Sequence, residues 1–169
     1  MNYEQLKKTA NAMVAKGKGI LAADESTPTC TNRFNSQGID STELNRNIYR
    51  DLLLTTPGIE EYISGVILFD ETLRQNTIED KIPFTKYLQS KNVLSGIKVD
   101  MGAKPLALHS NEKITEGLDS LHERLEEYYN LGARFAKWRA VITIGNGIPS
   151  DACIRGNAHA LARYAALCQ

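Results

Sequence analysis

Charged residues stand inside runs that otherwise have the composition of buried strands. VLSGIKVD (93–100) carries Lys98 and Asp100, and ARFAKWRAV (133–141) carries Lys137 and Arg139. Residues i and i+2 of a strand point to one face, so Lys98 shares a face with Asp100 and Lys137 with Arg139. Two further carboxylates, Asp24 and Asp70, close the runs GILAAD (19–24) and GVILFD (65–70). Burying a lysine or arginine without a partner costs several kcal/mol, so such residues need a reason to be there. One reason is pairing among themselves, Asp24 or Asp100 with Lys98 or Lys137. Another is an offset of the fourth strand that turns Lys137 to solvent. The functional reason is a cationic pocket for an anionic, phosphorylated ligand. Lysines packed beside carboxylates can also be tuned for proton transfer or Schiff-base chemistry.

The elements that must position these groups follow from periodicity. A first helix is expected over about 2–15, with Leu6, Ala10, Met13 and Val14 on one face. A second covers about 41–54, capped by Ser41 or Thr42, with Leu44, Ile48 and Leu52 as its apolar stripe. Thr56-Pro57-Gly58 ends it. A short helix is expected at 83–90 and an amphipathic one at 115–131, closed by Gly132. GNGIPS (145–150) reads as a turn whose Ser150 caps a last helix over 151–168. Four strands separated by helical crossovers make βαβ units with a parallel sheet. Ligands of such α/β folds bind at the C-terminal strand edge, where Asp24 and Asp70 fall. Either an open doubly wound sheet or a (β/α)₈ barrel satisfies this order, and four units are half of a barrel of about 250 residues.

Composition narrows the function classes. The 169 residues, 42% of them hydrophobic, suit one domain (1–169) with a sizeable core. Lys plus Arg and Asp plus Glu balance at 20 each, so no global field draws the chain to nucleic acid or anionic lipid. No apolar run approaches the ~20 residues that span a bilayer. The opening MNYEQLKKTANAMVAKGKG has no signal-peptide core, and Cys30, Cys153 and Cys168 lack CxxC spacing, which suits reduced thiols and a cytoplasmic location. His109, His122 and His159 lack metal-ligand spacing and are expected at the surface. GKG (17–19) lacks the spacing of a P-loop, and no Gly-rich dinucleotide fingerprint follows a strand.

Seven stretches in order, GKGILAADEST (17–27), NRNIYRDLLLTTPG (45–58), YISGVILFDETLRQ (62–75), GIKVDMGAKPL (96–106), TEGLDSLHERLEEY (115–128), GARFAKWRAV (132–141) and NAHALARYAALCQ (157–169), closely resemble class I fructose-bisphosphate aldolases. The resemblance implies a (β/α)₈ TIM barrel, of which this chain supplies about the first four βα units. It also implies assembly as a homotetramer and reversible cleavage of fructose 1,6-bisphosphate to dihydroxyacetone phosphate and glyceraldehyde 3-phosphate. A lysine imine serves there as electron sink, and no metal or other cofactor is needed.

Carried over by position, Asp24 matches a strand-one carboxylate of carbinolamine chemistry, and Lys137 a strand-four lysine beside the Schiff-base nitrogen. Arg139 matches a substrate-contacting arginine and Lys98 the strand-three lysine of a phosphate site. Ser26, Thr29, Arg33 and Arg46 match positions that hold one substrate phosphate, where hydroxyls and guanidinium forks suit phosphate oxygens. Thr29 stands where relatives carry serine, Asn32 where several carry a basic residue, and Asp70, given no role, where some carry histidine. The family's Schiff-base lysine and acid/base glutamate lie on strands six and five, and neither has a counterpart among these 169 residues. The chain alone is therefore expected to be inactive. A phosphate-binding or scaffold module without turnover is the alternative reading. Another Schiff-base barrel, such as a transaldolase, fits the chemistry but not the ordered motifs.

Overall fold

Apolar runs flanked by helices become parallel strands because each crossover helix must pack back on the sheet it leaves. The structure, a computed structural model, describes residues 2–169. It divides into two compact units, one running to Lys98 with Tyr128–Ala136, the other Val99–Glu127 with Lys137–Gln169.

The first unit begins with α1 (Tyr3–Met13), capped by the Asn2 side chain, which accepts from the Gln5 N–H at 3.1 Å. β1 (Gly19–Ala23), β2 (Ile63–Leu68) and β3 (Leu94–Lys98) pair in parallel, with Ala23 opposite Leu68 and Leu68 opposite Ile97. Between them lie α2 (Thr27–Asn35), α3 (Glu43–Leu54), α4 (Ile59–Tyr62), α5 (Asp70–Leu73) and α6 (Phe84–Ser90). The sheet order is β1-β2-β3 and then β6 (Phe135–Lys137), whose Phe135 and Ala136 belong to this unit. Val66, Leu68, Ile97, Leu54, Phe84 and Leu88 form its core, each 1% exposed or less. Phe135 lies across two glycines: a Cβ on Gly96 would come within 2.3 Å of its ring, and one on Gly65 within 3.0 Å. Only glycine lets that ring so close to the strands.

The second unit pairs β4 (Ala103–Pro105) antiparallel with β5 (Lys113–Thr115) and adds α7 (Leu121–Asn130), apart from its last turn, and α8 (Asp151–Cys168). Ser150 caps α8 as expected, its hydroxyl accepting from the Cys153 N–H at 3.2 Å. Asn157, 3% exposed, ties α8 to β5: its amide donates to the Lys113 carbonyl at 2.9 Å and accepts from the Thr115 N–H at 3.4 Å.

Several expectations need correction. The stretch 115–131 is helical only from Leu121, because Thr115 is taken by the β4–β5 ladder. Asp70 opens α5 rather than closing β2, and it pairs with Arg74 at 3.1 Å. The fourth strand ends at Lys137, leaving Arg139 beyond it. α2 was not anticipated at all. The stripe Leu44, Ile48 and Leu52 lies on one face of α3 but is exposed, at 62%, 46% and 69%. The helix buries Arg50 and Leu54 instead, for a reason found in the site.

Candidate active site

In the first unit, the strand register sets the C-terminal edge. Ala23, Leu68 and Ile97 form one row, so Asp24 and Lys98 sit in the next, about 10 Å apart across two strand spacings. Both are half-buried. The chain then turns into α2, whose N-cap residue is Ser26. Pro28 is tolerated there because the first helical N–H groups have no intrahelical acceptor to lose. The Ser26 and Thr29 hydroxyls meet at 3.2 Å, and Arg33 follows Thr29 one turn later on the same face.

Glu25 organises what surrounds these residues. One carboxylate oxygen accepts from Arg33 Nη1 and, at 3.3 Å, from the Tyr49 hydroxyl. The other accepts from Arg50 Nη1, while Arg50 Nη2 donates to the Glu25 carbonyl at 2.7 Å and to Cys30 Sγ at 3.4 Å. Arg50 is 2% exposed and stacks 5.1 Å over the Tyr49 ring. Burial pushes the Glu25 carboxyl up. The hydrogen bond from Arg50, its own backbone amide and the charges of Arg50 and Arg33 outweigh that and hold it below the usual carboxylate range. Burial pushes the Cys30 thiol up. The need to meet Glu25 explains why α3 turns Arg50 inward and leaves Leu44, Ile48 and Leu52 outward.

Arg46 is engaged differently. Its Nε and Nη2 grip the two oxygens of Glu71 at 2.8 and 2.5 Å, and Nη1 donates to the Ser41 carbonyl at 2.5 Å. Among the sequence-derived site residues of this unit, Ser26, Thr29 and Arg33 are therefore brought onto one helix face, whereas Arg46 is committed to Glu71. Sequence reasoning missed Glu25, Tyr49, Arg50 and Glu71. The one local signal was the carboxylate of Glu25 between Asp24 and Ser26.

In the second unit, Lys137 ends β6 half-buried, and its carbonyl accepts from the Val99 N–H at 3.1 Å. Arg139 is exposed, with its carbonyl held by the Thr115 hydroxyl at 2.8 Å. Asp100 is 8% exposed and accepts from the Gly102 N–H at 3.2 Å. Trp138, between the two basic residues, packs on Tyr164 with ring centroids 5.5 Å apart. Burial and the nearby Cys168 and Asp100 push the Tyr164 hydroxyl up. Among the described residues no group of His, Cys, Asp and Glu has the arrangement of a metal site, and no helix is long and apolar enough to cross a membrane.

The family model described as "Glycolytic: Fructose-bisphosphate aldolase class-I" matches residues 5–169. The chain belongs to this family. As a member of the class-I fructose-bisphosphate aldolases it is 64% identical, over its whole length, to a probable fructose-bisphosphate aldolase class 1 of Xanthomonas campestris. It is 51% identical over 98% of its length to fructose-bisphosphate aldolase 1 of Toxoplasma gondii. Among solved structures it is similar to the Plasmodium falciparum fructose-bisphosphate aldolase, solved with TRAP and a small molecule inhibitor, at 48% identity and a TM-score of 0.93 over 98% of the chain. The α/β fold is thus that of the aldolase TIM barrel, as the resemblance implied. The chain spans about half the length of the curated relatives it matches, 50% of the Xanthomonas protein and 46% of the Toxoplasma protein.

Proposed function

We propose that this chain supplies half of a class-I aldolase site, which cleaves fructose 1,6-bisphosphate reversibly through a lysine Schiff base. Family membership over 5–169 supports the reaction class. The observation that carries the site is the placement of Asp24 and Lys98 in one row at the C-terminal edge of the parallel strands, followed by the Ser26, Thr29 and Arg33 face of α2. A sugar phosphate needs such a set: hydroxyl donors and a guanidinium for its oxygens, and a lysine as a point charge.

In this reading Asp24 takes part in carbinolamine formation and breakdown. Lys137 places a positive charge that lowers the pKa of the nucleophilic amine and polarises a substrate hydroxyl. Ser26, Thr29, Arg33 and Lys98 hold phosphate, Arg139 contacts substrate, and Arg46 serves from behind by fixing α3 to α5 through Glu71. The chemistry is metal-independent, the location cytoplasmic and the assembly a homotetramer. No lysine of these 169 residues is assigned as the nucleophile.

Purified 1–169 is the test. Incubated with dihydroxyacetone phosphate and borohydride, it is expected to retain no covalent label and to cleave no fructose bisphosphate, yet to bind phosphate. Label on Lys137, or measurable cleavage by the chain alone, would sink the division of labour proposed here. Absence of phosphate binding would remove the site.

A further inference from the structure

Arg33 and Arg46 present opposite edges of the same group. Arg46 spends the Nε–Nη2 edge, the one that grips a carboxylate or phosphate in two parallel bonds, on Glu71. Arg33 spends Nη1, on Glu25 and, at 3.4 Å, on the Tyr49 hydroxyl. Among the described residues nothing occupies its Nε–Nη2 edge, and its side chain is 56% exposed. An exposed arginine normally samples many rotamers, and a ligand that fixes it must offset that freedom. Here the contacts of Nη1 with Glu25 and Tyr49 already reduce that freedom.

We propose that Glu25 is the positioning residue of the candidate anion site, holding Arg33 by one amino group so that its bidentate edge stays open on the Ser26 and Thr29 face of α2. This rests on the aldolase reading, in which that face takes a substrate phosphate. The carboxylate suits the task because it cannot swing away. Its second oxygen is fixed by Arg50, 2% exposed, and its main-chain carbonyl by the same guanidinium. The Tyr49 hydroxyl braces the shared oxygen, and the Tyr49 ring is itself held edge-on by Phe34 at 5.7 Å. A chain of contacts thus runs from the buried arginine through Glu25 to the exposed one. Glu25 touches no substrate in this scheme and acts through Arg33 alone.

The test is titration of the 169-residue chain with inorganic phosphate at fixed pH and ionic strength, followed by calorimetry. It compares wild type with Arg33→Ala, Glu25→Asp and the double variant. Glu25→Asp keeps the charge but withdraws the carboxylate by one methylene, so it isolates orientation from electrostatics. It is expected to weaken phosphate about threefold to tenfold, the scale of re-freeing one long side chain. The double variant is expected to bind no more weakly than Arg33→Ala. If Arg33→Ala weakens binding while Glu25→Asp binds as wild type does, the proposal is overturned and the phosphate reading survives. If Arg33→Ala binds as tightly as wild type, the phosphate reading itself falls, and the proposal with it. Should Glu25→Asp fail to fold, side-chain nitrogen NMR of the wild type decides. Separate, slowly exchanging Nη resonances that vanish in Arg33→Ala support a held guanidinium, and one averaged resonance overturns it.

Discussion

Arg46 and Glu71 meet fork to fork, with Nε and Nη2 on the two carboxylate oxygens at 2.8 and 2.5 Å. The pair bolts α3 to the short helix α5, and neither side chain is more than 25% exposed. Truncating one partner leaves the other charge half-buried with no counter-ion, which is costlier than losing a surface pair. Arg46→Ala is therefore expected to lower stability by about 2 kcal/mol. Urea unfolding would show it as a shifted midpoint at unchanged slope.

The seating of Phe135 on Gly96 gives a second expectation. A Cβ at 2.3 Å from an aromatic ring forces the ring or the strand to move, so Gly96→Ala is expected to cost about 1–3 kcal/mol by overpacking. Gly65→Ala, with 3.0 Å available, should cost less. Shrinking the ring with Phe135→Leu in the Gly96→Ala background should recover part of the loss in a thermal melt.

Glu112 ties the β4–β5 hairpin to the start of α8, its carboxylate accepting from the Ser150 N–H at 2.6 Å. That backbone bond, aided by the Ser150 side chain, holds the Glu112 carboxyl below its ordinary value of 4.5. A carboxylate depressed in the folded state contributes stability above its unfolded pKa and loses it as pH falls through the folded one. Stability should therefore decline from about pH 4.5 downward. Glu112→Gln should flatten that decline without abolishing it, because Glu25 is shifted in the same direction. Denaturant midpoints measured from pH 7 to pH 3 would show both.

The outward stripe of α3 supports a prediction of the opposite kind. Leu52 is 69% exposed, so Leu52→Lys removes little buried surface. It is expected to change stability by less than about 0.5 kcal/mol. Leu54→Ala, two residues on and fully buried, should cost about 2–5 kcal/mol. Equal effects at the two positions would show that the outer face is packed after all.

The strands and most helices were legible because continuous apolar runs and 3.6-residue periodicity are local signals, as are caps such as Thr42 and Ser150. α2 was not, because TPTCTNRFN holds three threonines, which are poor helix formers away from tertiary contacts. The β4–β5 hairpin escaped notice because its three-residue strands carry no alternation long enough to read. The orientation of α3 was invisible for a deeper reason. Its leucines obey the helical period, yet a buried ion pair between Arg50 and Glu25, 25 residues apart, decides which face turns inward. At the site, residue types at Ser26, Thr29, Arg33 and Lys98 could be read from sequence, but which arginine edge stays available could not.

Phe135, Gly65 and Gly96 form a three-position unit that can drift only in concert. A library that varies one codon at a time will score Gly96, and less severely Gly65, as resistant to change. A library that varies all three at once can find smaller rings paired with alanines. For anyone recoding this scaffold, apparent invariance at these positions records a shared constraint, and the route through it is combinatorial.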